Sequence, residues 1–255
     1  MKLQEKLADA VLKRYGMIPT WPVGHPLAVG DVISRTGVGI QVETTLASLL
    51  GDGDSPSVSE VPTTDRIKLS DGVKVEAAAN ANAAGQRARI GFTARASFVM
   101  VAEGGTLTEY DELWQVRKHL EALHKAGRWD RSWQLVTSVR SADACTVLVS
   151  DKAGVRAEAR LRPGPIPGDL LDVLDIGSDV SWNSDGGLDS VAKHCTPLHR
   201  ALWIERRFGG KVRITSGVRI EAGDHEAEAE AKVEVKEVGP VEAGLADEAV
   251  DSSED

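Results

Sequence analysis

The chain has few cysteines, few aromatic residues and no long apolar run. Of its 255 residues, two are cysteines, Cys145 and Cys195. Fifty positions apart, they fit neither a disulfide framework nor a zinc-ligand pattern, so we predict two buried, reduced structural thiols. No segment approaches the ~18 to 20 apolar residues of a membrane helix, and the first sixteen residues lack the apolar core of a secretory signal. We therefore expect a cytoplasmic protein when inactive.

The motifs of the common enzyme classes are also missing. The sequence contains no nucleotide-binding glycine loop, no nucleophile elbow, no paired-cysteine zinc pattern and no helical histidine pair with a base between them. We therefore predict no catalytic residue, no cofactor and no metal. An unidentified hydrolase stays open as a third hypothesis, because a Ser-His-Asp site is defined by geometry rather than by chain order. Nucleic-acid binding is not expected, because the chain is acidic overall and its six tryptophans are scattered.

The negative charge lies at the C-terminal end. The net charge is −9, and residues 221–255 hold 13 acidic residues against Lys232 and Lys236, a net of −11. The remaining body therefore carries +2. A like-charged terminal block is typical of a solvated tail, and the alternative is that it masks a surface of the body.

The N-terminal residues predict an amphipathic helix. Its apolar positions recur at helical spacing from Leu3 to Val11, and Gly16 is placed to end it. Its basic face, a candidate contact for anionic lipid, consists of Lys2, Lys6, Lys13 and Arg14. A second helix is predicted around residues 113–123, with Thr108 as its N-cap.

Two segments alternate strictly between apolar and polar residues, which predicts two long amphipathic hairpins. In the first, between residues 73 and 98, the apolar face consists of Val73, Val75, Ala77, Ala79, Ala81, Ile90, Phe92 and Phe98. In the second, it consists of Val147, Val149, Val155, Ala157, Ala159 and Leu161, with "DKAG" as the turn. A plain antiparallel sheet packed on helices explains the same alternation.

The order of these parts resembles the pore-forming domain of gasdermins, most of all the short bacterial ones. The strand "LVTSV" at residues 135–139 and the late strand beginning "TPL" at Thr196 carry the resemblance, which spans residues 3–210. It implies an α+β fold with a twisted, mainly antiparallel central sheet, surrounding helices and the two hairpins. It also implies a pore-forming domain over 1–210 and a restraining C-terminal strand and acidic tail over 211–255.

The function implied by the resemblance is a pore. An inactive monomer, held by its C-terminal segment, would be released by proteolysis or a partner chain, with Gly209, Gly210 and Gly223 marking the cleavage region. It would then assemble with itself into a large β-barrel in the inner membrane, bind anionic lipids and cause cell death in antiviral defence. Many bacterial members have a lipid-bearing N-terminal cysteine, which this sequence lacks. The alternative is a non-lytic protein- or lipid-binding module with a solubilising tail.

Overall fold

A computed structural model describes most of the chain as far as Ser216. By its internal contacts the chain divides after Arg219, and every described residue lies in the unit Met1–Arg219. The described residues are 3–22, 25–36, 39–51, 55–77, 87–162, 169–178, 180–183, 186–206 and 212–216.

The described residues of this unit form fourteen strands and few helices. The helices are α1 (Leu3–Tyr15), α2 (Leu46–Leu50) and α3 (Leu113–Lys125), with a short 3-10 helix at Leu170–Val173. The strands are β1 (Ile18–Pro19), β2 (Asp31–Thr36), β3 (Gly39–Thr45), β4 (Val58–Pro62), β5 (Ile67–Asp71), β6 (Val73–Ala77), β7 (Arg87–Phe92), β8 (Ser97–Glu103), β9 (Thr106–Tyr110), β10 (Gln134–Ser150), β11 (Arg156–Arg160), β12 (Val180–Trp182), β13 (Gly187–Arg206) and β14 (Val212–Ser216).

The main sheet has ten strands and is organised around β10. One edge of β10 pairs with β13 along nearly its whole length, and the other edge pairs in turn with β2, β9 and β8. On the far side of β13 lie β1, at Leu198 and His199, and β14, along residues 202–206. All described strand pairs are antiparallel, so the predicted α+β fold with a mainly antiparallel central sheet is confirmed.

The small sheet has four strands in the order β12, β11, β7, β6. Its apolar side chains share one core with Val99, Val101 and Leu148 of the main sheet, so the two sheets pack face to face. The opposite face of the main sheet is covered by α1, whose Leu7 and Val11 are buried among Phe98, Met100 and Val147.

The predicted helices form for the reasons that their sequences suggest. Helix α1 places Leu7 and Val11 on one face and is followed by Gly16 in a left-handed conformation (φ 61°), the geometry that favours glycine after a helix. Helix α3 buries Val116, Leu120 and Leu123 in a third core beside Leu135 and Leu202.

Three local predictions are wrong. Thr108 lies in β9 rather than at a helix N-cap, and α3 begins after Glu112. The long strand expected up to Phe98 is interrupted at residues 93–96, so β7 and β8 belong to different sheets. The second hairpin is not formed, because β10 lies in the main sheet while β11 pairs with β7 and β12.

Candidate functional site: the small sheet

The small sheet gathers most of the residues that the sequence predicts for membrane strands. Strands β6 and β7 form the predicted first hairpin, in register from Val73 opposite Phe92 to Ala77 opposite Ala88. Val73 and Val75 are half-buried and Ala77 is exposed, whereas Ile90 and Phe92 are fully buried. Ala79 and Ala81 lie outside the described residues. Phe98 belongs to β8 and points into the core beneath α1.

The residues predicted for the second hairpin are divided between two cores. Val147 and Val149 lie in β10 and are buried beneath α1. Val155, Ala157, Ala159 and Leu161 lie in or beside β11 and are buried in the core between the sheets. Because β11 pairs with β7, the two predicted membrane segments are neighbours in one sheet.

The chain passes between the two sheets at a corner where several segments bend. Residues 93–96 connect β7 to β8, and residues 151–155 connect β10 to β11. The corner remains hydrogen-bonded, because the Phe92 amide donates to the Val155 carbonyl at 2.9 Å and the Gly154 amide donates to the Phe92 carbonyl at 2.7 Å. The bends are therefore adjacent in space.

Left-handed backbone conformations produce these bends. Gly72, Ala96 and Gly154 have φ angles of 65°, 53° and 85°. A Cβ built on Gly72 would collide with Ser97 Oγ, so glycine is required where β5 turns into β6. Ala96 adopts a conformation that costs an alanine ~1 to 2 kcal/mol. The corner therefore contains one locally unfavourable residue held in place by its neighbours.

The two segments keep the same pairing register on both sides of this corner. In the main sheet the last β8–β10 pair is Ser97 with Ser150, and in the small sheet the first β7–β11 pair is Gly91 with Arg156. Five residues, 92–96, separate the two pairs on one segment, and five residues, 151–155, separate them on the other. Segments 87–103 and 144–160 therefore match residue for residue in both sheets.

The two faces of the small sheet differ sharply in polarity. Ala88, Ile90, Ala157 and Ala159 face the shared core and are at most 2% exposed. The outer face carries charged side chains in the same strands, among them Arg89, which pairs in register with both Glu76 and Glu158. At the end of the sheet, Phe92 stacks on Trp182 with ring centroids 5.4 Å apart.

A shallow groove crosses the outer face at Gly91. In register, Gly91 lies between Lys74 and Arg156, and its missing side chain leaves open space there. The groove has a volume of about 510 Å³, and Arg89 and Glu76 also line it. The hydrogen bond from Lys74, supplemented by the charges of Lys74, Arg89 and Arg156, lowers the pKa of the Glu76 carboxyl. Lys74, Arg89 and Arg156 against Glu76 give the lining of the groove a net charge of +2.

The predicted basic helix face is partly neutralised by ion pairs. Lys6 Nζ lies 2.9 Å from Asp71 Oδ1, and Lys13 Nζ lies 2.7 Å from Asp9 Oδ2. Arg14 is exposed, and Lys2 lies outside the described residues. Gly209, Gly210 and Gly223 of the predicted cleavage region also lie outside them.

Sequence reasoning placed the two cysteines correctly but missed a buried histidine. Cys145 and Cys195 are free and buried, as predicted, and they contact each other. This contact and burial raise the pKa of the Cys145 thiol.

His199 is fully buried in β13, with Nδ1 2.9 Å from Thr20 Oγ1. Burial, together with the charge of Arg35, lowers the pKa of His199 to about 3. Only its place between apolar residues in "PLHRAL" signals this burial in the sequence.

Comparison with known proteins identifies no family for this chain. No family model matches the chain, and no curated protein matches it significantly. Within the described ranges, no helix is long and apolar enough to cross a membrane. The described part of the chain also contains no cluster of three or more His, Cys, Asp or Glu residues placed to hold a metal ion.

Proposed function

We propose that this protein forms membrane pores in the manner of gasdermins, and that segments 87–103 and 144–160 enter the bilayer. The observation that carries the proposal is that these two segments have the same pairing register on both sides of the corner. Straightening the corner would convert them into one continuous antiparallel pair of 17 residues each, with every existing β8–β10 and β7–β11 partner retained. A transmembrane strand needs ~9 to 11 residues, so the pair is long enough.

Side-chain alternation supports the same rearrangement. In the monomer, Phe98 and Val149 fill the core beneath α1, while Ile90 and Ala157 fill the core between the sheets. Because side chains alternate along a strand, all four would lie on one face of the straightened pair. That face, which holds one charged residue, Asp151, would meet lipid, and the opposite face would meet water, as in transmembrane barrels. Many copies must join, because an open sheet edge leaves backbone groups unpaired in hydrocarbon.

We propose that the C-terminal segment restrains this change in the monomer. Strand β14 occupies the edge of β13 along residues 202–206, where a second copy would otherwise find unpaired backbone groups. The acidic residues 221–255 add a net charge of −11 that competes with anionic lipids for basic surface. Release by proteolysis or by a partner would transfer the protein from the cytoplasm to the inner membrane, where pores would kill the cell as a defence.

Dye leakage from anionic vesicles tests the proposal directly. Two forms of the full chain would carry a site-specific protease site, one between Gly209 and Gly210, before β14, and one beside Gly223, after it. We expect the intact chains to be inert and the cleaved chains to assemble and release dye. Leakage only after the earlier cut would assign the restraint to β14, and leakage after both cuts would assign it to the acidic segment. The chain without a site, treated with the same protease, is the control.

A non-lytic binding module is the second candidate, and the basic groove at Gly91 favours it. Lys74, Arg89 and Arg156 around an open floor suit an anionic headgroup or an acidic protein segment. Cleaved protein that sediments with vesicles, stays monomeric and releases no dye, over several lipid compositions, would refute the pore and leave this candidate.

A further inference from the structure

The outer face of the small sheet has a surplus of positive charge. Its basic side chains are Lys74, Arg87, Arg89, Arg156 and Arg160, and its acidic side chains are Glu76 and Glu158. Five positive and two negative charges leave a net of +3. None of the seven side chains is buried, so the surplus faces solvent.

Both carboxylates are already paired with basic neighbours. Glu158 lies 3.3 Å from Arg89 Nη2 and 3.8 Å from Arg87 Nη1, and Glu76 lies 2.5 Å from Lys74 Nζ. The register also places Arg87 opposite Arg160, a like-charged pair on neighbouring strands. Like charges directly opposite each other are unfavourable in a sheet. The soluble fold therefore gives no stabilising reason for this surplus.

We infer that this face lines the water-filled interior of the pore and makes it selective for anions. The inference rests on the proposed pore, because strands that turn an apolar face to lipid turn the other face to the lumen. Residues 78–86, "AANANAAGQ", contain no charged residue and leave the balance unchanged. Arg95, Lys152 and Glu103 fall on the same side of the straightened pair and add a net +1. Each copy would then contribute +4, and a ring of copies would repel cations and attract anions.

The selectivity should depend on salt. Charges on the wall act over ~8 Å at physiological ionic strength and ~3 Å at 1 M, so a wide lumen is only partly influenced by them. We expect the ratio of chloride to potassium permeability to exceed one in dilute KCl and to approach one as the salt concentration rises.

Reversal potentials in planar bilayers test this inference. The full chain with a protease site would be added to a bilayer under a KCl gradient and then cleaved. The double variant Arg156→Glu, Arg160→Glu changes the net charge that each copy contributes from +4 to 0. The matched control, Arg117→Glu with Lys125→Glu, makes the same change at two exposed positions of α3, outside the small sheet.

The expected result is a chloride preference for the parent protein and the control, and a reversal potential close to zero in the double variant. Stable conductance without preference, with a potassium preference, or with no response to the double variant would overturn the inference while leaving the pore itself standing. Complete absence of conductance after cleavage would overturn the proposed pore, and anion selectivity with it.

Discussion

The main sheet buries polar side chains along its central strands, whereas the described part of the small sheet buries apolar ones alone. Among the described residues, ten polar or charged side chains are buried, eight of them in β10 and β13 and the others Thr20 and Ser97. Thr137 Oγ1 donates to the Arg200 carbonyl across the β10–β13 pair and His199 Nδ1 lies 2.9 Å from Thr20 Oγ1, and such buried bonds favour the register that satisfies them. The described core side of the small sheet has apolar residues, among them Ala88, Ile90, Phe92 and Ala157, with no such restriction. The difference fits the proposal that the small sheet leaves its place while β8 and β10 keep their pairing with each other.

The largest expected effect is the loss of stability when one phenylalanine from each core is replaced by alanine. Phe98 and Phe92 are both at most 1% exposed, Phe98 beneath α1 and Phe92 between the sheets. Replacing either by alanine should lower the free energy of unfolding by ~3 to 5 kcal/mol. Urea unfolding followed by circular dichroism measures both. A cost for Phe92→Ala below about a third of the cost for Phe98→Ala would contradict firm docking of the small sheet in the monomer.

A charge at Ala77 separates the membrane role of the small sheet from its role in the monomer. Ala77 pairs with Ala88, on the side of the sheet that the proposal turns toward lipid, and is exposed in the monomer. Ala77→Arg should therefore change monomer stability by less than ~0.5 kcal/mol. In the bilayer an arginine on the lipid face costs up to ~2 to 4 kcal/mol, the value at mid-depth, so leakage after cleavage should fall.

Phe92 is unsuitable for the same test, because an arginine there would be buried in the monomer core. The matched control for Ala77→Arg is Ser181→Arg, which adds the same charge on the solvent-facing side of the small sheet. Undiminished leakage by Ala77→Arg would contradict the assignment of this face to lipid.

The smallest expected effect is the loss of stability in acid that results from His199 in the main sheet. Because the pKa of His199 is about 3 when folded and ~6.5 when unfolded, the unfolded chain binds more protons between these values. Stability contributed by neutral His199 is thus lost as pH falls from ~6.5 toward ~3, by up to ~1.4 kcal/mol per pH unit.

Urea unfolding at pH 7 and at pH 4.5 measures this loss. Between the two values, His199→Gln should lose ~2 to 3 kcal/mol less stability than the parent protein. His124→Gln, in the last turn of α3, is the matched control. Equal losses in the parent protein and in His199→Gln would show that this histidine does not govern the acid response of the main sheet.

Local periodicity was sufficient to predict the parts of the fold that depend on local pattern. Helices α1 and α3 and the β6–β7 hairpin follow from spacing and turn residues. The corner was not predictable, because "IGFTARASF" keeps a period of two without glycine or proline at the bend. The turn predicted at "DKAG" is present, but the pairing of β11 with β7 joins residues about seventy positions apart, which no local pattern indicates.

The measurement that tests the central claim most directly is a distance across the corner. Spin labels would be placed at Asp143→Cys in β10 and Arg156→Cys in β11, both exposed, with Cys145 and Cys195 replaced by alanine. Asp143→Cys with Lys193→Cys, which lies on the paired strand β13, does not span the corner and serves as the control. If the corner straightens on vesicles after cleavage, the first distance should lengthen to ~44 Å, the span of thirteen extended residues, while the control distance stays the same. Leaking vesicles in which the first distance is unchanged by cleavage would contradict the account.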